Sequence, residues 1–524
     1  MKKLLTCVLT MFCALTMQAT DYSGKLNVIV KDMNLNVNQE SNITVNKQND
    51  GKYELIIKDF VFGGMPVGTI DVKDVDAVEN GNLTNLTFDG PTTIQANSEG
   101  GGDLRETEVN ITLNAVVGDN KLGADIVINA MGMDITVNFT SAGAYIPNSD
   151  FENFHEAKFE VFTTQEADHW HSFTSAHTTS ILYNTARRQK QSFESTDVRT
   201  TDEIIGEKCL LIKSALPLPN TPANGTVTTG RIQAGARKAK DTKNCAFLDL
   251  SYNEKDDKGD PFYTTFTAKP DAVEFWCRFK QGQNNLSSKY ASIRAVITDG
   301  TYYQDPEDKT YSNIVAVAAN KTIEGTDVWQ KVTANFDYDS YKPKEEENKE
   351  TKVINPKAIL VTISTNAEPG VASKDANNPD YIYIDDLSLI YNANLKSLKL
   401  NKNDLFEAGK TEYTTNANGV VNLSDIEVES DGNGAYINKT LEKVADGIKV
   451  TITITSNDLK KQNVYTLNIK GATTTGINKP QTVTLPNGIN AIYNLAGQQV
   501  SSMTSGNVYI VKTTDGKTKK VIKK

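Results

Sequence analysis

The 524-residue chain has little cysteine, no concentrated basic surface and almost no helical periodicity. Beyond residue 19 only Cys209, Cys245 and Cys277 remain, and an odd number of thiols cannot all pair within one chain. A disulfide-rich scaffold is therefore excluded. Cys277, in "VEFWCRFK", reads as a buried strand residue. Cys209 and Cys245 are open to either a bridge or two buried free thiols, which behave as small hydrophobes. The formal net charge is −10 and the acids are dispersed. Nucleic-acid binding needs clustered Lys and Arg, so no nucleic-acid partner is expected. The basic end "DGKTKKVIKK" is short and reads as a solvated last strand. After residue 19 no stretch is long and apolar enough to cross a bilayer as a helix. G-x-S-x-G, H-E-x-x-H and G-x-x-x-x-G-K-[ST] are missing, so no catalytic residue is nominated. "GGG" at 100–102 lacks the strand–loop–helix setting of a phosphate loop. With 65 acids, a pair of carboxylates picked by eye carries no glycosidase signal.

What is present is a secreted string of strands. Lys2, Lys3, the apolar "LLTCVLTMFCALTM" and Ala19 predict a signal peptide over residues 1–19. Phe12 before Cys13 is too bulky for a lipoprotein cleavage site. Length suggests about three or four domains, and a hydrophobic fraction of 38% is enough for small cores. Strand-like runs separated by turn signals recur throughout, so the fold class is all-β. "QNDGKYEL" is a hairpin, because Asn49-Asp50-Gly51 tolerates positive φ.

Four segments follow. Residues 20–142 carry "YSGKLNV", "GKYELIIKDFVFGGMPVGTIDVKDV" and "ITVNF", and resemble the calycin-like β-barrel domain of secreted proteins from gut-type Gram-negative bacteria. About eight strands closing up-and-down are implied, with an interior filled by side chains or holding an unknown ligand. Residues 144–392 run from "YIPNSDFENFHEAKF" to "YIYIDDLSLIY". They resemble the jelly-roll β-sandwiches of carbohydrate-binding modules, and more closely the family called the putative carbohydrate metabolism domain. "KPKEEENKETK" (342–352) is a charged loop within them. Residues 393–472, with Leu395, Leu398, Leu400, Phe406, Tyr413 and "VYTLNIKG", resemble a small cadherin-like β-sandwich. A Thr/Gly/Pro linker (473–488) leads to residues 489–524. There "IYNLAGQQV" and "GNVYIV" resemble the C-terminal sorting domain of type IX secretion. Outer-membrane secretion or attachment machinery is then the implied partner, with an ordinary retained β-domain as the alternative.

The opening of "YIYIDDLSLIY" poses the main physical question. Strand alternation would send Asp385 and Asp386 to opposite faces, so one carboxylate would be buried and need neutralising. The jelly-roll resemblance implies a structural Ca2+ tying the first and last strands. Its ligands would be Glu152 of "NSDFE" and Asp385, with Asp386 the alternative; Ca2+ takes six to eight oxygens. The competing reading gives one Asp to solvent and the other to backbone or Arg donors. All four histidines lie at 155, 169, 171 and 177. His169 and His171 would share a face if "DHWHSF" were a strand, but no zinc signature supports a metal there. Sugar recognition uses an aromatic face with a few polar groups. Trp170, Tyr263, Tyr302 and Tyr303 are the candidates, while Trp276 and Trp329 are expected in the core. The functional expectation is a secreted or surface protein that binds glycan or polysaccharide through its central jelly roll without cleaving it. A glycan-processing enzyme and a protein-binding adhesion module are the alternatives.

Overall fold

A computed structural model describes residues 18–62, 65–95, 107–130, 132–282, 289–342, 353–474, 489–494, 508–513 and 518–522. Residues 1–17 of the expected signal peptide, "GGG", most of the 342–352 loop and nearly all of the 473–488 linker lie outside them. The regular structure of the described chain is nearly all strand, as its patterning requires. It divides into two compact units. One comprises residues 1–396 with 429–438 and 453–463; the other comprises 397–428, 439–452 and 464–524.

Eight strands close the N-terminal barrel: β1 (Gln18–Val30), β2 (Leu35–Lys47), β3 (Tyr53–Phe62), β4 (Met65–Asn80), β5 (Leu83–Gln95), β6 (Thr107–Gly118), β7 (Lys121–Ala130) and β8 (Met133–Ser141). Each pairs antiparallel with its neighbour in sequence, and β1 pairs with β8 to seal it. Closure leaves no free sheet edge. The β6–β7 turn places Asp119 and Asn120 at φ 52° and 58°, the two-residue hairpin geometry these residue types favour. Gly24 sits at the closing seam, where an added Cβ would lie 2.3 Å from the Thr140 carbonyl oxygen. The inward residues of the alternating pattern, including Leu26, Ile43, Leu55, Ile57, Ile111 and Phe139, form one packed cluster. An eight-stranded barrel is just wide enough to be filled this way.

The central segment is a β-sandwich with an additional layer. Strands Ser192–Ser195, Cys209–Lys213, Tyr381–Ile390, Ala272–Lys280 and Gln330–Asp337 form one sheet in that order. Strands Ile314–Glu324, Tyr290–Thr298, Ala358–Ser364 and Thr226–Thr228 continue the path, joined only by Val317↔Asp337 and Ala318↔Phe336. The two halves fold face to face over a shared core that includes Phe275, Phe279, Ile382 and Ile384 from the first and Ile293, Ile297, Ile359 and Val361 from the second. Cys277 lies in this core, and Cys209, Cys245 and Cys277 are all buried free thiols.

A four-stranded sheet then covers the second half from outside. Its order is His177–Thr178, Arg231–Ala234, Cys245–Leu248 and Tyr303–Asp305. Its Ala246, Leu248 and Tyr303 pack on Val296, Val317 and Leu360. Strand Tyr290–Thr298 is thus covered on both faces, which explains its nearly continuous apolar end "AVI".

The following region forms a four-stranded sheet, Glu412–Val420, Gln462–Thr473, Gly447–Thr455 and Tyr436–Val444, and a three-stranded sheet around Leu395–Leu400. Of the five hydrophobes expected in its core, Leu395, Leu398, Leu400 and Tyr413 are buried, whereas Phe406 is half-buried. The last three strands, Ile489–Asn494, Val508–Thr513 and Thr518–Ile522, form a separate antiparallel sheet.

Candidate functional site

The two ends of the central segment meet. The Leu387 N–H donates to the Ser149 carbonyl at 2.8 Å, which brings "NSDFE" against the closing strand. Here the alternation rule fails locally. Glu274 pairs with Ser388 and Trp276 with Asp385, so Asp386 and Leu387 together face a single residue. This is a β-bulge, and Asp386 takes a left-handed φ of 45°. The bulge turns both carboxylates toward one guanidinium. Arg199 Nη1 lies 3.3 Å from Asp385 Oδ2 and 2.5 Å from Asp386 Oδ2. The guanidinium also stacks 5.0 Å from the Trp276 ring centre.

Donors also face Asp385 Oδ1 and Glu152. Asp385 Oδ1 accepts the Asp386 N–H at 2.9 Å. Glu152 accepts the Glu207 and Lys208 N–H groups at 3.1 and 3.0 Å. Asn148 is used within its own loop, donating to the Asn153 and Asp168 carbonyls. Burial, then the neighbouring Asp386, pushes the Asp385 carboxyl up to about 8 against the pull of Arg199. Burial likewise raises Glu152. As they stand these groups do not fit Ca2+. Glu152 and Asp385 Oδ1 face backbone N–H donors, and a guanidinium bridges the two aspartates where an oxygen-lined cage would be needed. Among the described residues no three His, Cys, Asp or Glu groups are placed to hold a metal ion.

The histidines also depart from a strand arrangement. His169 sits at φ 66° in a turn and approaches Asp260, with Nδ1 3.6 Å from Oδ1. His171 is fully buried against Phe262, and burial pulls its pKa down to about 3. His155 lies between Asp168 (3.0 Å) and Asp256 (3.4 Å). Burial lowers its pKa, but the surrounding carboxylates outweigh burial and raise it overall. These contacts hold the 254–261 loop onto the strand Phe154–Phe159.

Two of the four candidate aromatics are unavailable. Trp170 is 0% exposed and packs on Phe151, with ring centres 5.1 Å apart. Tyr303 is also 0% exposed, on the inner face of the additional sheet, and donates its hydroxyl to Glu307. Tyr263 is half-buried against the same layer. Tyr302, one residue away from Tyr303 and therefore on the other side of the backbone, is 38% exposed.

Tyr302 lines an open cleft of about 480 Å³ with Asp249, Leu250, Ser251, Asp299, Gly300, Thr301 and Lys357. Its ring stacks on Phe247 at 5.8 Å and 28°, and its hydroxyl donates to Gln304 at 2.8 Å. Two turns of similar design form the wall. Asp249 Oδ1 accepts the Ser251 N–H and hydroxyl at 2.8 and 2.6 Å; Asp299 Oδ1 accepts those of Thr301 at 3.0 and 2.7 Å. The Leu250 N–H donates to the Gly300 carbonyl at 3.0 Å and ties the turns together. Gly300 is required there: its φ is 85°, and a Cβ would meet Leu250 Cδ1 at 2.4 Å. Buried Asn313 holds the same loop through the Thr301 carbonyl and hydroxyl and the Tyr302 carbonyl.

Sequence reasoning missed a second aromatic surface. Trp276 and Trp329, expected in the core, are half-buried on the outer face of the first sheet. Arg278 lies over the rings of Trp329 (5.7 Å) and Tyr383 (4.4 Å), and Lys331 over Trp276 (5.3 Å). The alternation of Phe275, Cys277 and Phe279 inward against Trp276 and Arg278 outward was the available signal.

Residues 19–142 match the family model described as the Calycin-like beta-barrel domain, and their closed eight-stranded barrel agrees with it. No curated protein matches the chain. Among solved structures, a "putative glycoside hydrolase" from Bacteroides vulgatus ATCC 8482 is similar at 16% identity and a TM-score of 0.32, covering 48% of this chain and 99% of that one. A "putative glycoside hydrolase" from Bacteroides thetaiotaomicron VPI-5482 is similar at 13% identity and a TM-score of 0.31, covering 56% and 89%.

Proposed function

We propose that this chain is a secreted or cell-surface protein whose central β-sandwich binds glycan at the Tyr302 cleft without cleaving it. The observation that carries the reading is an exposed aromatic ring beside polar groups with bonding capacity left over. The ring face would cover the apolar C–H surface of a pyranose, and Asp249, Asp299 and Lys357 would take its hydroxyls. Phe247 behind Tyr302 and Asn313 beneath it hold the platform in place before a ligand arrives. The cleft is open and shallow, which suits a chain passing across it rather than a small molecule enclosed by it. The barrel and the later β-modules would serve as spacer or attachment units, the last of them addressing an outer-membrane secretion machinery.

Two carboxylates in the cleft favour one rival, a glycan-processing enzyme, since glycoside hydrolysis uses such a pair. A glycan array followed by a reducing-sugar assay on the hits separates the two. Binding without product, lost in Tyr302→Ala, supports recognition. Product release assigns an enzyme. Silence in both sinks the carbohydrate reading.

A further inference from the structure

We infer that the Tyr302 cleft selects uncharged glycan chains and turns away uronate- and sulfate-bearing ones; this rests on the carbohydrate-binding reading of the same cleft. Each wall aspartate is half committed. Its Oδ1 is held in its own turn by an N–H and a hydroxyl, which fixes where the carboxylate stands. No hydrogen bond or ion pair engages either Oδ2 among the described residues. Ser251 and Thr301, the hydroxyls of the lining, already donate to these aspartates. The free capacity on this side is therefore that of two anionic acceptors.

Asp308 adds a further carboxylate near by, accepting the Tyr311 hydroxyl at 2.8 Å, although Lys309 lies 5.2 Å from the centre of the same ring. Burial first, then Cys245, Asp308 and Asp249, push the Tyr302 phenol up to about 12, the two carboxylates in the direction expected of negative charge near the ring. Lys357 is the single cation of the lining.

A sugar hydroxyl can donate to a carboxylate in a charge-assisted bond and accept from Lys357 in return. A uronate or sulfate offers acceptors alone and brings a like charge to two fixed carboxylates. One lysine cannot offset both. The aspartates are thus specificity determinants, and the stacking ring supplies affinity that does not depend on charge.

The test uses the full secreted chain on an array of neutral polysaccharides, each printed beside its sulfated form. Neutral forms are expected to bind in a Tyr302-dependent manner, and sulfated partners at least about tenfold more weakly. Raising ionic strength should narrow that ratio, because salt screens exposed charges. Asp249→Asn with Asp299→Asn should narrow it too, and the salt series on the unaltered chain decides the matter if that variant does not fold. Equal or stronger binding of the sulfated forms, still lost in Tyr302→Ala, overturns the selectivity and leaves the binding site standing. Neutral binding that survives Tyr302→Ala overturns both the site and its selectivity.

Discussion

Two pairs of aspartates in the central sandwich are put to opposite uses. Asp385 and Asp386 sit on the closing strand, with Arg199 bridging their Oδ2 atoms and a backbone N–H on Asp385 Oδ1. Asp249 and Asp299 sit on neighbouring turns, each with one oxygen anchored and the other open to a cleft. The first pair is held by Arg199 beside the point where the start and end of the segment meet, a junction made by the Leu387 N–H on the Ser149 carbonyl. The second is positioned but not satisfied, and a binding group needs that combination. Residue type does not distinguish these roles; the number of donors already facing each oxygen does.

The largest effect should come from breaking the satisfied pair. Arg199→Ala leaves buried Asp385 and its neighbour without their cation, which should cost about 3–5 kcal/mol in urea unfolding above pH 8, where Asp385 is ionised, and less at lower pH, where its carboxyl keeps a proton. If a cation is what the pair requires, added Ca2+ should raise the melting temperature of that variant. A variant as stable as the parent would mean the pair is not held by Arg199.

Glu166 extends the comparison to a carboxylate that is buried but only half satisfied. Ser172 and Ser175 donate to Oε1, while Oε2 has no partner. Burial raises its pKa. The folded state therefore keeps a proton that the unfolded chain loses in the ordinary glutamate range. Its contribution to stability falls as pH rises from that range until the folded carboxyl ionises, by up to about 1.4 kcal/mol per pH unit. Glu166→Gln should remove this decline, so its stability relative to the parent should improve with pH. Parallel pH profiles for the two proteins would refute the assignment.

Next comes the open pair's platform. Tyr302→Ala should weaken glycan binding about tenfold or more, equivalent to about 1.4 kcal/mol, while the melting temperature changes little because the ring is partly exposed. Trp170→Ala, by contrast, should destabilise the sandwich by about 3–5 kcal/mol, as expected for a fully buried ring. Isothermal titration and thermal unfolding on the same preparations separate the two effects. The smallest effect should be that of Ca2+ or a chelator on the unaltered chain. With Arg199 between the aspartates, either should move the melting temperature by about 1 °C or less. A larger shift would show that an ion displaces the guanidinium.

Much of the fold was legible because strand signals are local. Alternation, turn residues and the Asn-Asp-Gly hairpin lie within a few residues of one another, and the barrel pairs strands that are neighbours in sequence. The site was only partly legible. Tyr302 and Tyr303 are adjacent in the chain and indistinguishable in type, yet one reaches solvent and the other faces inward from a third layer. That layer is built from short strands spread from His177 to Asp305, which no single window could assemble. Trp276 and Trp329 looked like core residues because they lie among apolar neighbours, whereas the inner face was already filled by Phe275, Cys277 and Phe279.

By itself, the chain's sequence determined an all-β protein, an up-and-down barrel of about eight strands at its start and a closing strand with two acids to neutralise. These follow from backbone preferences and from a side-chain period of two. Tertiary structure decided which cation answers those acids, which tyrosine reaches solvent and which aspartates keep an oxygen free. Such choices depend on groups brought together from more than a hundred residues apart, as Arg199 and Asp385 are. Their burial and spacing exist only once the sheets have packed.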